Sequence, residues 1–248
     1  MDRGLYVAMT GAKQIMQAQA VNNHNIANLS TIGFRADAVS FDSEPIYGPG
    51  YATRVNAVAG DAGTDFSNGV MQSTGRDLDI AVNGSGFIAV LGSDGKEAYT
   101  RAGDLRVTTA GAVTTASGLP VLTESGQLNI PPSTQVTIGA DGTVSVVPLG
   151  LAPAASSPID RIKLVNPPTK DLQKGDDGLL RLKTGGKAKT DENVTVTSGM
   201  LESSNVNAAQ SLISMIELQR LYEFQIKSIN STDQNEQSAE RMMLTSGA

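Results

Sequence analysis

The stretch from Asn205 to Gln234, NVNAAQSLISMIELQRLYEFQIKSINSTDQ, decides the fold of this chain. Asn207, with Gln210 three residues later, resembles a capping box in which Asn stands in for Ser or Thr. Val206 and Ala209 open the helix. Leu212, Met215, Ile216, Gln219, Tyr222, Ile226 and Ile229 then fall close to a heptad seam. No proline or glycine interrupts the pattern until Gly247, so the spacing predicts a helix over 205–244. At 1.5 Å per residue, about 40 residues would span roughly 60 Å, longer than a compact domain of this size needs. An amphipathic helix of that length must lay its stripe on something.

The obvious partner lies at the other end of the chain. Leu5, Ala8, Met9, Ala12, Ile15 and Met16 recur at three- and four-residue steps, and Val21, Ile26 and Leu29 continue the apolar content. This predicts a second helix over 2–29, stopped at Gly33. Its polar positions are mostly amides: Gln14, Gln17, Gln19, Asn22, Asn23, Asn25 and Asn28. Asn is a weak helix former, so the second half is expected to be marginal alone. Paired amides can be buried between helices without the desolvation cost of an ion. A pair of helices still leaves apolar surface for neighbours.

Between the helices the pattern changes to β. Alternation appears at Leu78–Val82, Leu128–Ile130, Val136–Ile138, Val144–Val146 and Ile162–Leu164. Turn signals separate these runs at Asp94-Gly95, Asp141-Gly142 and Gly175–Gly178. Residues 42–75 lack clear periodicity, and Pro45, Gly48, Pro49, Gly50, Gly60 and Gly63 mark an extended connector; 148–158 is a second loose stretch. The expected fold is therefore α+β. A mainly antiparallel central domain, an irregular barrel or sandwich, carries N- and C-terminal helices that form a coiled-coil-like assembly domain. The expected boundaries are 1–35 with 200–248 for the helical domain, 36–76 for the connector and 77–199 for the β domain.

Composition excludes several functions. A net charge of −6 weighs against nucleic-acid binding, which needs a basic patch to meet phosphates. No apolar run is long enough for a membrane span. Met1–Thr10 holds no basic segment followed by an apolar one, so no ordinary secretion signal is expected there. The sequence has no cysteine and one histidine, His24. Thiolate metal sites and cysteine nucleophiles are thereby excluded.

The two ends resemble a known family. NNHNIANLSTIGFR at Asn22–Arg35 resembles the N-terminal signature of flagellar rod and hook proteins, and LESSNVN at Leu201–Asn207 and MIELQRLYE at Met215–Glu223 resemble their C-terminal motifs. In the middle, GVMQSTGRDLDIAV at Gly69–Val82, GSGF at Gly84–Phe87 and YTRAG at Tyr99–Gly103 are also similar. Ile88 and Leu105 depart from the family pattern, where aromatics are usual, and are expected to loosen the β core. Within the family, Met1–Met9, the length of the chain, and Ile162–Val165 leading to Lys174–Gly178 are similar to the proximal-rod member.

The resemblance implies a structural subunit of the basal-body rod that polymerises into the axial shaft and passes torque to the hook and filament. It implies copies of itself and neighbouring rod proteins as partners. It also implies passage through the flagellar type III export apparatus to the periplasm, without a cleaved signal peptide. The terminal helices would form the inner layer of the tube and the β domain would face outward. The expected assembly interface comprises Asn22, Asn23, Ile26 and Asn28 of the first helix. On the C-terminal side it comprises Asn205, Val206, Leu212, Ile216, Gln219, Tyr222, Ile226 and Ile229. The competing readings are a distal-rod or hook-type subunit, and an enzyme acting on peptidoglycan.

Enzyme-like motifs have blander readings. No serine or carboxylate is spaced as a partner for His24. Asp77 and Asp79 would suit paired-carboxylate chemistry, but alternation with Leu78 and Ile80 assigns them a solvated face. Gly84-Ser85-Gly86 has neither the lysine nor the helix of a phosphate loop and reads as a turn into a strand. Gly175–Gly178 lacks the spaced ligands of a calcium loop and reads as a hairpin turn. Arg220 is placed to pair with Glu217 or Glu223. No catalytic residue, metal or cofactor is expected.

Overall fold

In a computed structural model the described residues are 4–47, 55–60, 63–148 and 156–246. The opening Met1–Arg3, connector residues 48–54, loose-stretch residues 149–155 and Gly247 lie outside them. The polypeptide divides into two compact units, one of 1–27, 37–65 and 206–248, the other of 28–36 and 66–205.

The first unit is built on two helices, α1 (Gly4–Ala27) and α2 (Ala208–Ser246). Asn22 meets Ser211 while Gly11 meets Gln225, so the two run antiparallel. The inward face of α1 carries Ala8, Gly11, Ala12, Ile15, Ala18 and Asn25. These are mostly small, and they let the backbones approach. A Cβ added at Gly11 would stand 3.2 Å from the Gln225 side chain. Asn207 does cap α2: its Oδ1 accepts the Gln210 amide at 3.2 Å, and its carbonyl accepts the Ser211 amide. With 24 residues against 39, α2 outruns its partner. From Asp233 onward every described side chain is exposed.

Two small antiparallel ribbons complete this unit, Asp37–Ala38 with Gly63–Thr64 and Phe41–Pro45 with Val55–Ala59. They occupy part of what the sequence assigned to an extended connector. Phe41 and Val55 are exposed on the longer ribbon.

The second unit consists of several small antiparallel sheets. The largest has five strands in the order Leu164–Val165, Phe87–Leu91, Glu97–Thr100, Leu180–Leu182, Leu172–Lys174. A three-stranded meander joins Ser133–Ile138, Thr143–Pro148 and Ser157–Arg161. The remaining pairs are Ile80–Asn83 with Thr195–Ser198, Leu105–Val107 with Val113–Thr115, and Met71–Ser73 with Met200–Glu202. The strand Phe87–Leu91 lies inside the sheet, between two neighbours, and its unbroken apolar run packs both ways. Ile88 and Val90 enter one core cluster, and Phe87 and Ala89 enter the other.

Three expectations need correction. Ile88 and Leu105 are both fully buried and help fill the core rather than loosen it. Leu128 and Ile130 point inward around exposed Asn129, as alternation predicts, yet only isolated bridges form there. Pro131-Pro132 follows at once and supplies no amide to extend a ladder. Asp79 is 4% exposed, with Arg76 Nη1 3.3 Å away, whereas Asp77 is exposed. The two carboxylates do not share a solvated face, because Asp79 stands at the buried entry to Ile80–Asn83 and bridges to Asp104. Burial lifts the Asp104 carboxyl above its ordinary value, and the nearby Asp79 charge adds to the lift.

Candidate assembly site and backbone junction

Sequence reasoning placed an interface on the terminal helices. On α2 the expected residues split between two faces. Met215, Tyr222 and Ile229 are half-buried, together with Leu218, Gln225 and Thr232, and Ser211 is buried. Their spacing alternates between four and three, which is a heptad seam facing α1. Leu212 and Ile216 are each 53% exposed, Ile226 is 36% exposed and Gln219 is exposed. These lie on the outer face, where Ile213 and Phe224 extend the apolar stripe. The predicted seam is thus rotated, and the sequence missed Ser211, Leu218 and Gln225.

On α1, Asn22 donates from Nδ2 to the Ser211 carbonyl at 2.9 Å, and Ile26 is half-buried. Asn23 is exposed, and Asn28 accepts the Thr31 hydroxyl at 3.0 Å. Asn25 is the buried amide. It donates to the Asp37 carbonyl at 2.8 Å and accepts the Asp37 amide at 2.9 Å, as a strand partner would. His24 Nδ1 contacts Asp37 Oδ2 at 2.9 Å, an exposed contact that ties the helix to the same residue. Among the described residues Arg220 pairs with neither Glu217 nor Glu223.

The second unit holds a feature that the sequence only hinted at, because it is assembled from several motifs far apart along the backbone. Glu202 is 1% exposed. Its Oε1 lies 2.8 Å from Arg35 Nη1 and accepts the Gly69 amide at 2.8 Å. Its Oε2 accepts from Arg101 Nη1 at 2.9 Å. Arg101 also donates to the carbonyls of Val82 and Gly84 and stacks on Phe87, 5.3 Å from the ring centroid. Arg35 donates to Asn68 Oδ1 at 3.2 Å. Burial pulls the Arg101 guanidinium below its ordinary value, and Glu202 works against that shift. The Nε atoms of Arg35 and Arg101 have no hydrogen-bond partner among the described residues.

Backbone fit explains the glycines around this cluster. Gly33 has φ +66°, and a Cβ there would sit 2.3 Å from the Arg101 carbonyl carbon. At Gly69 a Cβ would sit 1.9 Å from the Ser203 oxygen. The Gly33 amide donates to the Glu202 carbonyl at 2.8 Å. Asn205 then gathers three passages of backbone. Its Oδ1 accepts the Ala36 amide at 2.8 Å, its own amide donates to Phe34, and its Nδ2 donates to Ser67. Val206 beside it is half-buried. The lone signal available in sequence was a charged residue inside each short motif.

The described residues hold no metal-binding cluster of His, Asp and Glu, and no helix is long and apolar enough to cross a membrane. Gly175–Gly178 forms the expected hairpin turn, with Gly175 and Leu179 paired and Asp177 held by Arg181.

The second unit is thus clasped by ions from motifs far apart in sequence, α2 carries an outward apolar stripe, and comparison with known proteins gives the family. Residues 81–146 match the model of the flagellar hook protein FlgE/F/G D1 domain. Residues 197–242 match that of the flagellar basal body rod FlgEFG protein C-terminal region. The flagellar basal-body rod protein FlgF of Salmonella typhimurium is 37% identical, with 98% of this sequence and 99% of the relative covered. That of Escherichia coli is 38% identical over the same shares. FlgG of Bacillus subtilis is 31% identical, with 94% of this sequence and 96% of the relative covered. The chain belongs to the flagellar basal-body rod protein family. It is a FlgF homologue and a structural rod subunit, not an enzyme.

Proposed function

We propose that this subunit builds the proximal part of the rod, next to further copies of itself and neighbouring rod proteins, and helps carry torque to the hook and filament. One observation carries the reading. The outer stripe of α2, with Leu212 and Ile216 each 53% exposed and Phe224 66% exposed, has no cover within its own unit. A stripe of that kind is a contact surface for other helices. Of the expected interface residues, Leu212, Ile216, Gln219 and Ile226 lie on this outer face, and Asn23 is exposed on α1. Export as an unfolded polypeptide through the flagellar type III apparatus, with residence in the periplasmic basal body, is part of the same proposal.

Locating an epitope-tagged subunit in purified basal bodies tests the reading. Label confined to the membrane-proximal end of the rod is the expected result. Label along the distal rod or hook, or none in the basal body, would overturn it.

A further inference from the structure

The sequence holds two Asn-Gly pairs, Asn68-Gly69 and Asn83-Gly84, and the fold treats them oppositely. Asparagine before glycine is open to attack on its side chain by the next backbone nitrogen, since glycine offers no side chain to obstruct the approach. At Gly69 that nitrogen is engaged: its amide donates to buried Glu202 at 2.8 Å, and the Asn68 side chain is held by Arg35. At Gly84 no hydrogen bond from the amide is seen among the described residues. Gly84 has φ +67° in the bend after Ile80–Asn83, with open space where a Cβ would stand. Asn83 is exposed and held by two hydroxyl contacts, to Thr195 at 3.2 Å and from Thr197 at 3.0 Å.

We infer that Asn83 is a site of spontaneous backbone-assisted deamidation, and that Glu202 shields Asn68 from the same reaction. The Gly84 nitrogen forms a bond to Asn83 Cγ, the bond between Cγ and Nδ2 breaks, and Nδ2 leaves as ammonia with the proton from the Gly84 amide. The resulting five-membered imide takes up one water at either carbonyl. It opens to aspartate or to isoaspartate, which lengthens the backbone by one methylene. The consequence reaches the clasp, because the Gly84 carbonyl accepts Arg101 Nη2 at 2.6 Å. Isoaspartate formed one residue earlier moves that acceptor.

The full-length protein, aged at mildly alkaline pH and cut with trypsin, gives separate peptides for the two sites, 55–76 and 77–96. In the folded protein the 77–96 peptide should gain the mass change of one deamidation, located at Asn83 and distinct from any isomerisation at Asp94-Gly95, with the 55–76 peptide converting about tenfold more slowly or less. In urea both should convert at similar rates. A folded protein in which Asn83 stays intact while the unfolded one converts sinks the proposal, as does equal conversion of both sites in the folded state. Ageing should also lower the melting temperature of the β unit, and Asn83→Gln should prevent that loss. A variant that ages as the parent does would sever the link to Arg101.

Discussion

Glu202 stands between two guanidiniums with almost no contact with water, and that arrangement fixes what its replacement must cost. Removing one member of a buried ionic group leaves the others charged and undercompensated, typically at about 3–5 kcal/mol. Glu202→Gln should therefore lower the stability of residues 28–36 and 66–205 by an amount in that range, read from the urea midpoint of the β signal. A change smaller than about 1 kcal/mol would mean that the carbonyls around Arg101 already balance the charge. Tyr99 gives a second residue-scale expectation. It is fully buried, its hydroxyl donates to Glu97 at 3.0 Å and accepts the Ala188 amide at 2.7 Å, and burial lifts its pKa to about 12. The unfolded polypeptide releases this proton near pH 10 and the folded one holds it longer. Its contribution is therefore complete below about pH 10 and is lost as pH rises toward about 12. Tyr99→Phe should flatten the fall of stability across that interval, and an unchanged slope would count against it. Neither partnership was legible beforehand. Sequence marks Arg35, Arg101 and Glu202 as members of motifs, but only folding brings together residues separated by 101 positions.

At the scale of elements, both helices were legible and the face of contact was not. The heptad reading runs through Leu212, Met215, Ile216, Gln219, Tyr222, Ile226 and Ile229, which mixes residues of two faces. The contact with α1 instead uses Ser211 and Gln225 opposite Asn22 and Gly11. Close backbone approach favours small and amide residues over large apolar ones. The apolar stripe is therefore left exposed on α2, and under the proposed function the effect of a charge there can be separated from folding. Ile216→Asp or Ile226→Asp should abolish rod assembly and swimming while changing the monomer's melting temperature little. Normal motility in soft agar with either substitution would remove the stripe from the assembly interface.

For the whole molecule, the alternation and turn residues made the β middle recognisable, with Asp94-Gly95 and Asp141-Gly142 both found at turns. The division of the sheets was not recognisable, since strands of two to six residues leave little periodicity to read. Nor were the ribbons at 37–65, whose Phe41 and Val55 remain exposed. Helices and ribbons with this much uncovered surface should be less stable than the β unit. Hydrogen exchange and circular dichroism of the dilute monomer should therefore show a protected β unit with frayed helices. Full helicity at both ends, together with a large loss of β stability on trimming them, would contradict that order.

Asn205 has one more implication, and it concerns evolution. It binds the backbone at Phe34 and Ala36 and reaches Ser67, so three stretches that border the β unit in sequence are held by a single residue. A segment whose ends are stapled together behaves as a cassette. It can lengthen, shrink or be exchanged at its far side at small entropic cost, because the fastening stays unchanged. A family could vary the body of such a subunit freely while keeping one fitting for the shaft.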